Sequence, residues 1–243
     1  MLSESSFSKP PTLAPSSPSY QNLLSGLIRN AESTSRTMKT GTIDTSASKE
    51  KTGTDKNVTE VKDQTRENIK IAAKYIFDKK NDVLTSADDI KNIVADLNHL
   101  LGVGFDDTQA QQDESYNLRT HEISLEKRYG VPATEIKNRM NQLYQELFEK
   151  IKMCEAGKIE SWHIAAWIEF QIDTVLHPYA DRCGRMSKIL SAYILHRFGK
   201  NIPDYGTREE YYAASWNKEN DTHEKMFNEF KQYYKAAFEK ENS

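Results

Sequence analysis

The stretch from Leu176 to Lys188 reads Leu-His-Pro-Tyr-Ala-Asp-Arg-Cys-Gly-Arg-Met-Ser-Lys, and it joins two strongly apolar segments. Before it, Trp162, Ala165, Ala166, Ile168 and Ile172 recur at helical spacing between Glu160 and about Leu176. After it, Ile189, Leu190, Tyr193 and Ile194 do the same between Met186 and Phe198. Two apolar helices around a polar turn put charged groups at the start of the second helix, where unpaired N–H groups favour an anion. Gly184 allows close backbone approach, and Arg182, Arg185 and Lys188 supply positive charge. Arg185 and Lys188, three apart, share a helix face. His177 can take up a proton near neutral pH, and Asp181 can hold a Mg²⁺ that bridges phosphate oxygens. A base, a metal ligand and a phosphate cradle so close together predict transfer from a phosphate-containing donor.

Outward from this turn the pattern is helical. Ile69, Ala72, Ala73 and Ile76 form one apolar face, and Ile90, Ile93, Val94, Leu97, Leu100 and Leu101 another, with Ser86 as N-cap of the second. Ile136, Met140, Leu143, Leu147 and Ile151 mark a further helix behind Pro132. From Arg208 onward Tyr212, Trp216, Met226, Phe227, Phe230, Tyr234 and Phe238 predict an aromatic, helical end. Between these, Asn117 to Leu125 partly alternates, as a short hairpin does. The fold class expected is all-α with one small β-hairpin.

Residues 1–62 differ: Pro10, Pro11, Pro15 and Pro18 are followed by a run of Ser, Thr, Lys, Gly and Asp. Such a stretch has too little apolar surface to offset its ordering entropy, so a disordered arm is expected over 1–62 and a folded domain over 63–243. Within the arm, Tyr20 to Arg29 is amphipathic and is expected to be a transient helix, the alternative being a segment that binds a partner such as a chaperone. The 243 residues carry 33 basic and 36 acidic side chains, a net charge of −3, which argues against a general nucleic-acid binder. No apolar run approaches the ~20 residues of a transmembrane helix. The start lacks the features of a cleaved signal, and Cys154 and Cys183 are compatible with a reducing compartment.

His177-Pro-Tyr-Ala-Asp-Arg-Cys-Gly-Arg185 resembles the signature of the Fic (filamentation induced by cAMP) family, His-Pro-Phe-x-Asp/Glu-Gly-Asn-Gly-Arg-x-x-Arg. The resemblance extends to Ile164–Phe170 before it, to Ser191–Pro203 and Glu210–Tyr212 after it, and to Val131–Met140. Tyr116–Ile123 looks like the family's flap, which docks a target segment by strand addition. The resemblance implies a Fic-type helical bundle with a hairpin flap, and an enzyme that moves AMP from ATP to a Ser, Thr or Tyr hydroxyl of a target protein. It further implies His177 as general base and Asp181 as Mg²⁺ ligand. Arg182, Cys183, Gly184, Arg185 and Lys188 would complete the nucleotide site, and Arg119, Thr120, His121 and Glu122 the target-docking flap. Three departures stand out: Arg182 replaces a glycine, Cys183 an asparagine and Lys188 the second arginine. They open alternatives, either a donor such as UTP or CDP-choline or a binding module without catalysis.

Other readings are weighed beside these. Cys183 with His177 as base would make a thiol hydrolase or acyltransferase, which leaves Asp181 unexplained. Glu67-Asn68 is the nearest match to an inhibitory Ser/Thr-x-x-x-Glu-Gly/Asn motif, but Asp63 stands where Ser or Thr belongs, so both residues are expected to be structural. His99, His163, His196 and His223 are expected as ordinary core or surface residues, Trp162 and Trp167 as core, and no zinc site is expected. The Ser/Thr/Pro-rich arm resembles the export signals of bacterial effectors, which implies a secreted effector acting on a host protein in host cytosol; otherwise the chain belongs in bacterial cytoplasm. A chaperone or antitoxin-like regulator is the further partner this implies.

Overall fold

The computed structural model describes residues 17–34, 58–105, 117–125, 128–129, 131–215 and 222–243. In chain order the elements are α1 (Pro18–Thr34), α2 (Val58–Lys79), α3 (Ala87–Gly102), β1 (Ser124–Leu125), β2 (Arg128–Tyr129), α4 (Ala133–Glu155) and α5 (Ser161–Phe170). A π-helical turn (Gln171–Leu176) follows, then α6 (Cys183–Arg197), α7 (Arg208–Ser215) and α8 (His223–Asn242). All of α6 except Gly184 and Arg197 is buried, which makes it the axis of the bundle. α5 packs along α6 and α8, while α1, α2 and α3 each lie against α6 and α4 links α3 to α5. The all-α class with a small hairpin is the architecture expected from the apolar periodicity.

Local signals hold where side chains satisfy helix ends. The Asp89 carboxylate accepts from Ser86 N at 3.1 Å and Thr85 N at 2.7 Å, closing the start of α3. Thr222 Oγ1 accepts from Lys225 N at the start of α8. The hairpin, however, lies later than its alternating pattern indicated: Ser124 pairs with Tyr129 and Leu125 with Arg128, antiparallel. Residues 117–123 carry no strand, and Arg119 N–H donates to Pro178 O, 2.9 Å away, rather than to a hairpin partner.

The larger correction concerns the expected arm of residues 1–62. α1 falls inside it yet belongs to the core, with Tyr20, Leu23, Leu27 and Ala31 buried. Tyr20 Oη donates to Lys70 O on α2, and Asn30 joins the segment beyond α6, donating to Pro203 O at 2.9 Å and accepting from Tyr205 N at 3.3 Å. Gly26 makes the approach possible, since a Cβ there would sit 2.5 Å from Ile202 Cδ1. α2 likewise starts at Val58, before the expected boundary at 63. Composition averaged over sixty residues hides a helix whose stabilisation comes from tertiary contact. The remaining residues of the arm, with Tyr116 and Trp216, lie outside the described residues.

His196, on α6, stacks on Phe77 of α2 with centroids 5.2 Å apart, and its Nε2 makes no hydrogen bond among the described residues. Burial, with Lys80 adding repulsion, pulls its pKa down to about 4 from an ordinary 6.5.

Two outcomes follow. Leu27→Ala lowers stability by about 2–4 kcal/mol in urea unfolding, whereas a helix outside the core would leave the midpoint unmoved. The folded pKa of His196 is depressed, so the unfolded chain binds its proton first. Its contribution is therefore complete above pH 6.5 and lost as pH falls from 6.5 toward 4. His196→Phe flattens the stability profile in that window, measured by unfolding midpoints at successive pH values.

Candidate functional site

His177 ends the π turn. Its N–H donates to Ile172 O at 3.1 Å, an i→i+5 bond, and its backbone is left-handed at φ 42°. In this register Asp173 O would next accept from residue 178, but Pro178 has no N–H. The imidazole takes that carbonyl instead, with Nδ1 3.1 Å from Asp173 O. Donation from Nδ1 makes Nε2 the basic nitrogen. A His-Pro pair at the end of a π turn thus leaves a backbone carbonyl to orient the imidazole.

Arg182, at the N-cap of α6, is also left-handed at φ 74°, a conformation that costs a non-glycine residue roughly 1–2 kcal/mol. The loop around it is tied internally. Cys183 Sγ accepts from Tyr179 N and donates to Tyr179 O, each at 3.4 Å, and Tyr179 itself is buried. Cys183 is buried, and desolvation raises its pKa strongly. A thiol held this way is neither a thiolate nucleophile nor a side chain offered to a ligand, which removes the hydrolase reading, while the Cys183 backbone N–H stands at the start of α6.

The side chain of Arg119 is buried and does not face a target. Its Nε donates to His177 O at 2.8 Å and its Nη1 to His121 O at 2.9 Å, while Nη2 reaches Val131 O and, at 3.3 Å, Leu176 O. It therefore binds the flap segment to the end of the π turn. Glu122 Oε1 accepts from Ala133 N at 2.9 Å and caps α4. Thr120 is exposed and His121 half-buried, and the backbone of residues 120–122, through which strand addition would run, follows directly on the Arg119 anchor.

At the start of α6, Arg185 is buried and donates from Nη2 to Asp181 Oδ2 at 2.6 Å, its Cζ lying 6.0 Å from the Phe105 ring centroid. Its Nη1 makes no hydrogen bond among the described residues. Lys188, expected beside Arg185 at the nucleotide, turns inward. Its Nζ donates to Gly184 O at 3.4 Å, lies 3.8 Å from Glu169 Oε1 and sits 4.0 Å from the centroid of Tyr211. The reason is a buried carboxylate: Glu169, fully buried, draws the nearest cation.

Sequence reasoning missed this buried cluster. Glu169 accepts from the hydroxyls of Tyr205 and, at 3.0 Å, Tyr211; Tyr211 Oη also lies 3.2 Å from Asp173 Oδ2. Burial pushes the Glu169 pKa up, opposed by Lys188 and the two tyrosines. Asp173 Oδ1 lies 3.3 Å from where a Cβ on Gly184 would stand, so only glycine fits there without a shift. The available signal was the period of four that runs Glu169, Asp173, His177 along the helix leading into the motif. Glu67 is exposed and paired with Lys70, whereas Asn68 is buried and donates to Leu101 O and Val103 O; both lie in the middle of α2 rather than at a helix start.

No protein-family model and no curated protein matches this sequence. Solved structures do match. One is IbpAFic2 covalently tethered to Cdc42, with a TM-score of 0.57, 14% identity, and coverage of 92% of this chain and 65% of that one. A second is a histidine-to-alanine variant of IbpAFic2 in complex with adenylylated Cdc42, with a TM-score of 0.55, 14% identity, and coverage of 93% and 66%. The chain thus spans a little under two thirds of those chains. At this identity the likeness shows the fold: an all-α, Fic-like architecture.

The left-handed backbone at residue 182 gives a sign that ordinary helix propensity reverses. Arg182→Gly is more stable than Arg182→Ala by about 1 kcal/mol in urea unfolding, because both lose the same side-chain contacts and only alanine keeps the strain. Equal midpoints would mean that the loop is not held at positive φ.

Proposed function

We propose that the chain is a Fic-type transferase that moves a nucleotidyl group from a nucleotide donor to a Ser, Thr or Tyr hydroxyl of a target protein. The observation that carries this is the joint placement of His177 and Arg185. A base aimed through Nδ1 stands beside a helix N-terminus where a buried guanidinium keeps Nη1 uncommitted among the described residues. The hydroxyl proton passes to His177 Nε2 as the hydroxyl oxygen forms its bond to the donor's α-phosphorus. The bond from that phosphorus to the bridging oxygen breaks, and the leaving phosphates depart with its electron pair. Arg185 and the first N–H groups of α6 balance charge on the phosphates.

Mg²⁺ belongs to this reading as part of the donor. Among the described residues no group of three His, Cys, Asp or Glu side chains could cage a metal. The half-buried Asp181 carboxylate suits an ion that takes its other ligands from phosphate oxygens and water. When bound, the ion neutralises charge on the phosphates; Asp181 would hold it and shift from its present pairing with Arg185.

The IbpAFic2 structures contain a protein target, Cdc42, and support a protein target for this chain. The hairpin β1–β2 and exposed Thr120 are the proposed docking edge. The inward turn of Lys188 favours a second reading, a donor other than ATP such as UTP or CDP-choline, because one cation implied by the resemblance is committed elsewhere. A secreted effector with a host target, carried by the composition of the N-terminal arm, completes the proposal.

The test incubates the protein with Mg²⁺, eukaryotic lysate and ATP, UTP, GTP or CDP-choline in separate reactions. Mass spectrometry should find a new adduct with one donor, and His177→Ala should reduce it on the order of 100- to 10,000-fold. No adduct with any donor from a folded protein would leave a binding module.

A further inference from the structure

The buried cluster beneath the motif has no part in the chemistry above, yet it meets that chemistry at one residue. Asp173 presents its backbone carbonyl to His177 Nδ1 at 3.1 Å and its side-chain Oδ2 to Tyr211 Oη at 3.2 Å. We infer that Tyr211, on α7, is a positioning residue that holds the π register and thereby aims the His177 imidazole. The inference rests on His177 being the base of the proposed transfer, although the register it concerns is a property of the free protein.

A π turn is intrinsically less favourable than an α turn and persists where surrounding contacts over-determine it. In an α register His177 N–H would donate to Asp173 O, the residue four before it. In the observed register it donates to Ile172 O, and Asp173 O is left for the ring. The two registers compete for one carbonyl, and whichever contact fixes Asp173 decides the competition. Three contacts do so from outside the turn. Tyr211 Oη lies 3.2 Å from Oδ2, Gly184 leaves space for Oδ1, and Glu169, one π-containing turn earlier, shares the same hydroxyl at 3.0 Å. One hydroxyl proton is divided between two carboxylates, with Lys188 Nζ 3.8 Å from Glu169 and 4.0 Å from the Tyr211 ring centroid to balance their charge. Tyr211 is buried, so water does not replace it there. α5, the π turn and α7 thus meet at a single oxygen, with α6 alongside through Lys188 and Gly184.

Tyr211→Phe removes that oxygen and keeps the ring under Lys188. The experiment is NMR of full-length protein labelled with ¹⁵N-histidine, with His177→Gln to assign the His177 signals. Wild type should show His177 with its proton on Nδ1. Tyr211→Phe should shift the population toward the other tautomer, while the remaining histidines stay where they were. Asp173→Asn, which keeps the backbone carbonyl and the side-chain shape, should shift His177 in the same direction and serves if the phenylalanine variant does not fold. With whichever donor labels a target, Tyr211→Phe should lower kcat on the order of 100-fold and leave donor KM unchanged, as a misaimed base requires. An unchanged His177 ring in a folded variant that only melts earlier would overturn the inference and leave Tyr211 as core packing. A raised KM at constant kcat would overturn it as well, since it would place Tyr211 at the donor. A His177 ring that shifts in a protein that transfers nothing would uphold the positioning and defeat the transfer reading.

Discussion

The guanidinium of Arg119 joins four backbone carbonyls that nothing else would satisfy together. Two, Leu176 and His177, end the π turn; the others, His121 and Val131, stand at either end of the hairpin segment. The end of a helix leaves carbonyls without partners and concentrates partial negative charge, so a buried cation there is stabilised by both effects. Burial lowers the pKa of Arg119, but a guanidinium stays charged, and every acceptor around it is an oxygen. Its own N–H, donated to Pro178 O, extends the attachment past the motif histidine. Through this one residue the segment before α4 and the turn between α5 and α6 become a single frame. Without it, the segment before α4 would lose four side-chain hydrogen bonds, two of which tie it to the end of the π turn beside His177.

Within that frame the motif loop departs from its resemblance and closes by other means. A thiol at Cys183 spans the two backbone groups of Tyr179, whose ring is buried in the core. Arg182 keeps the left-handed backbone that a glycine adopts without cost. Strain of this size persists only where neighbours over-determine the conformation. Here they are two buried helices, one on each side, whose ends fix where the loop must start and finish.

Charge is divided between two levels. At the surface of the site Arg185 pairs with Asp181 and holds a donor in reserve; below it Lys188 pairs with Glu169 among tyrosines. Lysine suits the lower position because a flexible chain with a compact ammonium can meet a carboxylate, a carbonyl and an aromatic face at once, while an arginine fork would direct its donors in one plane. Lys188 is therefore a cation of the protein's interior.

The sequence by itself determined the helices, because apolar residues at helical spacing must bury a common face. It also singled out His177, Asp181, Arg182, Cys183, Gly184, Arg185 and Lys188, because that largely polar set interrupts two apolar runs. Tertiary structure alone decided the rest. α1 reads as a short island in polar chain until Asn30 and Gly26 meet residues 202–205. Arg119 reads as part of a flap until its buried side chain finds Leu176 and His177, nearly sixty residues on. Helical spacing put Lys188 on the face of Arg185, but the direction of its side chain depended on Glu169 and Tyr211, which belong to other helices. Periodicity fixes which face of an element a residue occupies; where a long charged side chain ends is set by the charges that other elements bring to it.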